Sequence, residues 1–126
     1  MIVLDASVLI AHLDRRDAHH DAATEHMTAV AAEPFAASSI TLAEVLVAPT
    51  RSGSLPAVDA ALRALDVEEI ALPPAASRRL AALRVETGLK LPDCCVLLAA
   101  EAARGRVLTF DERLAREAAR RGLGAS

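Results

Sequence analysis

The opening Met1-Ile2-Val3-Leu4-Asp5-Ala6-Ser7 constrains the fold most. Ile2, Val3 and Leu4 are consecutive apolar residues, two of them β-branched, which is the pattern of a strand buried on both faces. An acid follows at once, and a helical pattern begins directly after it. A strand covered on both sides and feeding a helix belongs to a parallel α/β sheet. In such sheets ligands and chemistry gather at the carboxyl ends of the strands. Asp5 is therefore expected at the tip of a central strand.

The rest of the chain repeats this alternation. Ala6 to Leu13 reads as a helix with Asp5 or Ser7 near its cap. A second helix is expected over Ala18 to Ala32, with Ala23, Met27 and Val30 as its apolar stripe. His19, His20 and His26 lie on or near it and read as a solvated face, because no facing set of further ligands accompanies them. Phe35 to Ser38 reads as a second strand, Ser39 to Thr50 as a helix, and Ser54 to Leu65 as another with Leu55, Val58, Leu62 and Leu65 inward. Val67 to Leu72 is a third strand, at an edge because Glu68 and Glu69 need water. Pro73-Pro74 opens a helix to Thr87, ended by Gly88. The helix from Leu91-Pro92-Asp93 to Ala103 is apolar nearly all round and belongs in the interior. Arg106 to Thr109 is a fourth strand, and Asp111 caps a last helix over Glu112 to Arg121. Short strands alternating with helices specify α/β with a parallel sheet. The tail Leu123 to Ser126 leaves a fifth strand open.

Length and composition set limits. At 126 residues one domain over 1–126 is expected, and 53% hydrophobic residues supply a sizeable core. The net charge of −3 argues against a generally basic nucleic-acid binder. Phe35 and Phe110 are the only aromatic residues besides histidine. Any RNA or DNA must then be held by phosphates and metal rather than by stacked bases. Adjacent Cys94 and Cys95 do not form an ordinary disulfide with each other. No apolar run is long enough to span a bilayer, and Asp5 interrupts the first too early for a secretory signal. A cytoplasmic protein without membrane attachment is the expectation.

Four acids stand at strand ends or helix starts: Asp5, Glu44, Asp93 and Asp111. Each has a structural explanation. Asp5 and Asp111 fit helix caps. Thr41-Leu42-Ala43-Glu44 fits a capping box. Asp93 follows Pro92 in a first turn, where the helix dipole favours negative charge. Position favours another reading for three of them. Asp5, Glu44 and Asp111 follow parallel strands whose carboxyl ends share one edge, whereas Asp93 enters from the opposite direction and composition does not place it. Carboxylates packed together repel unless a cation intervenes. Oxygen-only ligands suit Mg²⁺ or Mn²⁺, which points to phosphodiester hydrolysis by activated water. Ser7 and Thr109, each two residues from an acid, could orient a carboxylate. Arg15, Arg16, Arg51, Lys90 and Arg113 could meet phosphates, but read first as solvated surface.

Taken together, Ile2-Val3-Leu4-Asp5-Ala6-Ser7, Thr41-Leu42-Ala43-Glu44-Val45, Leu91-Pro92-Asp93 and Val107-Leu108-Thr109-Phe110-Asp111 resemble PIN domains, most of all the VapC-type toxins of bacterial toxin–antitoxin pairs. The resemblance runs the length of the chain, in order. It implies a three-layer α/β/α sandwich around a four- or five-stranded parallel sheet, and a Mg²⁺- or Mn²⁺-dependent endoribonuclease. It assigns Asp5, Glu44, Asp93 and Asp111 as the catalytic, metal-binding acids, with Asp93 joined to the other three, and Ser7 and Thr109 as supporting hydroxyls. It also implies an RNA substrate, a homodimer, and a VapB-type antitoxin that wraps the toxin's hydrophobic surface and can push a basic side chain at the acids. Two departures are Cys94-Cys95 at positions more often small or aliphatic, and a C-terminus poor in β-branched residues.

Two other functions compete. A receiver-type phosphorylation module has a similar size and an acidic Mg²⁺ pocket, but wants an adjacent acid pair after the first strand and a lysine after a late one. Here Ala6 follows Asp5, and Lys90, the sole lysine, precedes Asp93. A silent interaction domain would use all four acids as caps.

Overall fold

The computed structural model describes residues 1–125. Its elements run β1 (Ile2–Leu4), α1 (Ala6–Leu13), α2 (His20–Ala29), β2 (Phe35–Ser38), α3 (Ser39–Ser52), α4 (Leu55–Ala64), β3 (Glu68–Ile70), α5 (Ala76–Thr87), α6 (Leu91–Ala103), β4 (Arg106–Leu108) and α7 (Glu112–Arg120). The strands form one four-stranded parallel sheet in the order β3-β2-β1-β4. All three residues of β1 are fully buried, as a strand between two layers requires.

The pleat divides the core. Ile2 and Leu4 point into one cluster with Val8, Leu9, Met27 and Leu42. Val3 points into the other, with Leu83, Val96, Leu97, Val107 and Leu114. Helices α1 to α3 thus cover one face and α5 to α7 the other, giving the expected three-layer α/β/α sandwich. Helix α6 is buried continuously from Cys94 to Ala100, and both cysteines are free within it.

Gly105 sets how closely β4 joins β1. A Cβ there would lie 2.8 Å from the Met1 carbonyl oxygen. That same oxygen accepts the Arg106 N–H at 3.0 Å, so any side chain at 105 would push the strands apart.

Several boundaries differ from the sequence reading. Helix α2 is shorter than Ala18 to Ala32. The Asp17 carboxylate accepts the His19 N–H in a turn before it, and Val30 and Ala31 already make turn hydrogen bonds after it. Helix α5 starts at Ala76 rather than at the prolines. Ala75 adopts a left-handed conformation (φ 61°), and the Ala76 N–H bonds the Pro73 carbonyl in a turn. Strand β3 is only three residues long and lies at the sheet edge with Glu68 and Glu69 exposed, as expected. The tail does not add a strand among the described residues. It makes one parallel bridge, Val107 to Gly124, with the Val107 N–H donating to Leu123 and the Ala125 N–H donating to Val107. Ser126, included in that part of the sequence reading, lies outside the described residues. Among the described residues no helix is long and apolar enough to cross a membrane.

Candidate active site

The carboxyl ends of β1 and β4 are tied together by the side chains that follow them. Asp5 leaves β1 with its N–H donating to the Leu108 carbonyl at 3.0 Å, and caps α1. Its Oδ1 accepts the Ala6 N–H at 2.8 Å. Its Oδ2 accepts two hydroxyls, Ser7 Oγ at 2.9 Å and Thr109 Oγ1 at 2.6 Å. Ser7 Oγ in turn accepts the Phe110 N–H at 3.2 Å, and Thr109 Oγ1 accepts the Asp111 N–H at 3.0 Å. Both hydroxyl protons are spent on Asp5, so the 3.5 Å approach of Ser7 Oγ to Thr109 Oγ1 is a contact rather than a further bond. Asp5 is 7% exposed, and its orientation is fixed by these three donors. A carboxylate offers about four acceptor sites, so Oδ1 retains room for one more partner.

Asp111 caps α7, its Oδ1 accepting the Leu114 N–H at 3.0 Å, and is otherwise exposed. Glu44 and Asp93 are placed differently. Glu44 is the sixth residue of α3, whose cap is Ser38, so the capping box proposed for Thr41 and Glu44 does not form. Thr41 Oγ1 is instead fully buried without a partner, one turn before Glu44. Asp93 is the third residue of α6, and the cap there is Lys90.

Electrostatics link the acids across these elements. The Glu44 carboxyl is raised above the ordinary range by loss of water, then by the charges of Asp5 and Asp93. The Asp93 carboxyl is raised by the same loss of water, then by Asp5 and Asp111, with Lys90 and Arg113 pulling the other way. Asp5 is therefore the charge that both Glu44 and Asp93 feel. The buried thiols report the same field. Burial raises Cys94 and Cys95 first, and Asp93 and Glu44 respectively add to it. Electrostatic range is not coordination distance, however. Among the described residues no three His, Cys, Asp or Glu side chains are placed to hold a metal ion. Like charges gain by standing apart when no cation lies between them, and Asp5 Oδ2 and Asp111 Oδ1 are engaged by protein donors. The donor set itself, carboxylate oxygen throughout, suits a hard divalent cation.

The histidines are not a uniformly solvated face. His20 Nδ1 bonds the Ala11 carbonyl at 2.9 Å, and His12 Nδ1 meets Thr24 Oγ1 at 2.8 Å, so both anchor α2 on α1. His19 and His26 are exposed, but their rings pack on Phe110, between Thr109 and Asp111. Composition does not reveal this group, because Phe110 is isolated from other Phe, Tyr or Trp residues and its ring partners are imidazoles distant in sequence. The available signal was the seven-residue spacing of His19 and His26, which brings both to one helix face.

An α/β/α sandwich whose first-strand acid is clamped by hydroxyls from α1 and from the end of β4, with further acids in its field, defines a class of acidic-site α/β protein. The chain belongs to the PIN-domain family, whose model matches residues 2–120. Solved structures agree in fold. A toxin–antitoxin complex from Klebsiella pneumoniae is 28% identical, with a TM-score of 0.69 over 88% of this chain and 87% of the other. VapC20 of Mycobacterium tuberculosis, a sarcin–ricin-loop-cleaving toxin, is 17% identical, with a TM-score of 0.73 over 93% and 95%. VapBC2 of Rickettsia felis, solved bound to a DNA fragment from its promoter, is 19% identical, with a TM-score of 0.70 over 92% of each chain. No curated protein matches the chain in sequence.

Proposed function

We propose that this PIN-domain protein is the toxin of a VapBC-type pair, a Mg²⁺- or Mn²⁺-dependent endoribonuclease of the cytoplasm. The observation that carries the reading is the contrast among the acids. Asp5 is held by three donors, while Glu44 and Asp93, neither at an N-cap, lie raised in its field. Caps explain Asp5 and Asp111 but leave Glu44 without a structural duty, which disfavours a silent domain. The receiver alternative has no support from the family match.

Asp5, Glu44, Asp93 and Asp111 would hold the divalent ion. When bound, it supplies charge neutralisation on the phosphate and lowers the cost of deprotonating water. The chain's own groups divide the remaining work. Ser7 and Thr109 fix the Asp5 carboxylate. Glu44, with a raised carboxyl and no cap to maintain, is suited to accept the proton of the attacking water. The water oxygen bonds to phosphorus as its proton passes to Glu44, the bond to one ribose oxygen breaks, and that oxygen leaves with a proton taken from solvent. Lys90 and Arg113, whose charges reach Asp93, would meet flanking phosphates.

An antitoxin fits the opposite end of α1. A groove between α1, α3 and α4 is lined by Ile10, Leu13, Val45, Pro49 and Val58, and Ile10 is 41% exposed. Such an apolar groove suits an amphipathic segment of a VapB-type partner. The toxin–antitoxin neighbours support that partner, and we propose a homodimer within the hetero-oligomer.

RNA cleavage with Mg²⁺ or Mn²⁺ tests the reading. Asp5→Asn keeps a capping side chain, so it should abolish cleavage while leaving the fold intact by circular dichroism. Full cleavage in excess EDTA would contradict the metal requirement. Mn²⁺ calorimetry should show saturable binding, weakened by Asp93→Asn.

A further inference from the structure

His19, Phe110 and His26 form a set of rings at the chain segment that joins β4 to Asp111. Phe110 follows Thr109, a donor to Asp5, and precedes Asp111. Its own N–H is held by Ser7. The His19 ring lies 5.6 Å from the Phe110 ring, tilted by 41°. The His26 ring lies 5.9 Å away, edge-on at 76°. Both imidazoles are exposed, and α2 is pinned beneath them by the His20 and His12 hydrogen bonds to α1.

Core packing accounts for only part of this arrangement. Phe110 leans on the cluster around Leu9 and Leu108. Shielding its outer edge would need no more than aliphatic carbon, yet α2 supplies two solvent-facing heteroaromatic rings. The charge balance gives them a use. The chain carries −3 overall and gathers acids at this edge, so attraction to phosphate cannot by itself hold a polyanion here. Rings supply affinity without regard to charge, because every nucleobase has a face that stacks.

Resting on the ribonuclease reading, we propose that His19, His26 and Phe110 form a stacking subsite for one unpaired nucleobase beside the scissile phosphate. The substrate class follows. A base inside a duplex is already stacked, so the subsite selects single-stranded loops or bulges. Asp5 and its partners position the phosphate, and the rings position the adjoining nucleotide.

The test measures binding of a short single-stranded RNA to the Asp5→Asn protein, which leaves the RNA uncut. Adding His19→Ala and His26→Ala should weaken binding about tenfold, as expected for losing one stacked base. His19→Phe with His26→Phe should restore it. An abasic oligomer of equal length should bind the parent and double-alanine proteins alike. Phe110→Leu keeps the apolar fill but removes the ring, and should lose binding without losing its thermal transition. Cleavage by the double-alanine variant in the Asp5 background should lose more in KM than in kcat. Equal binding of the single-stranded RNA by parent and double-alanine proteins would overturn the subsite while leaving the nuclease reading intact. Equal losses on the abasic oligomer would also overturn it, since the histidines would then be contacting phosphate. Failure of the unaltered protein to bind or cleave any RNA would remove the nuclease reading and the subsite with it.

Discussion

The two sides of the acidic edge are built on opposite principles. On the β1 and β4 side, every polar group that Asp5 faces is matched: Ala6, Ser7 and Thr109 donate to it, and their own acceptor positions are filled by Phe110 and Asp111. On the α3 and α6 side, Glu44 and Asp93 lose water and face like charge, and their carboxyls rise in consequence. The first region is satisfied without a ligand. The second is left in a state that a cation would relieve. On the proposed reading the two are complementary: the rigid half would fix one ligand, and the strained half would make occupation by a divalent ion favourable.

The largest effect should come from breaking the satisfied half at its centre. Asp5→Ala removes the α1 cap and leaves the Ser7 and Thr109 hydroxyls without their acceptor. Losing the cap costs about 1 kcal/mol, and each orphaned buried donor about 1–3 kcal/mol. Denaturant unfolding should show Asp5→Ala clearly less stable than Asp5→Asn, although both lack activity. Equal stabilities would mean that the hydroxyls find water and that the region is not a closed network.

Thr109→Val should follow. It is nearly isosteric at a 7% exposed position, but removes a donor to Asp5 and the acceptor of the Asp111 N–H. A loss of roughly 1–3 kcal/mol is expected in unfolding experiments, with a fall in activity beyond what the lost stability explains. Ser7→Ala should cost less, because Ser7 is only partly buried. The reverse ranking would place the network's weight on α1 rather than on the strand ends.

Substitution in the strained half should act in the other direction. The folded protein holds Glu44 and Asp93 above the ordinary carboxylate values of 4.5 and 3.8. It therefore binds protons more readily than the unfolded chain at these positions. Stability without metal should fall as pH rises from those values through the raised ones, and stay reduced at neutrality. Glu44→Gln removes one such group. In EDTA it should flatten the decline and leave the protein slightly more stable at neutral pH, while weakening Mn²⁺ binding. A destabilised Glu44→Gln protein would show that the two halves do not differ as argued.

The sequence revealed these halves unequally, for physical reasons. Strand β1 and Asp5 were legible because a doubly buried strand ending in an acid has few other places to sit in a parallel sheet. Helix α6 was legible because an apolar surface on every side admits only an interior position. Asp93 was not placeable by pattern, since whether it comes within range of the Asp5 charge depends on how α6 crosses the sheet rather than on any local signal. Glu44 invited a misreading. Its capping-box spacing is genuine, but Ser38 captures the helix start and moves Glu44 past the first turn. Helix α2 was drawn too long because alanine has high helix propensity, whereas the Asp17 side chain closes a competing turn.

The contrast recurs on a smaller scale beneath α2. His20 is tied to the Ala11 carbonyl and His12 to Thr24, yet their rings stack 6.1 Å apart and nearly parallel. Burial, and then the charge of His20, push the His12 imidazole below its ordinary value of 6.5. The unfolded chain therefore takes up this proton more readily than the folded one. The neutral form's contribution is complete above pH 6.5 and is lost as pH falls through the lowered value. His12→Gln cannot be protonated, so it should give a shallower loss of stability between pH 7 and 5, by chemical denaturation, than the unaltered protein. Because His19 is the N-cap of α2 and His26 lies within it, ring-proton NMR should show their contacts with Phe110 loosening over that interval. If those contacts persist while stability falls, α2 is held by its Ala23 and Met27 packing, and the imidazole pair is merely tolerated.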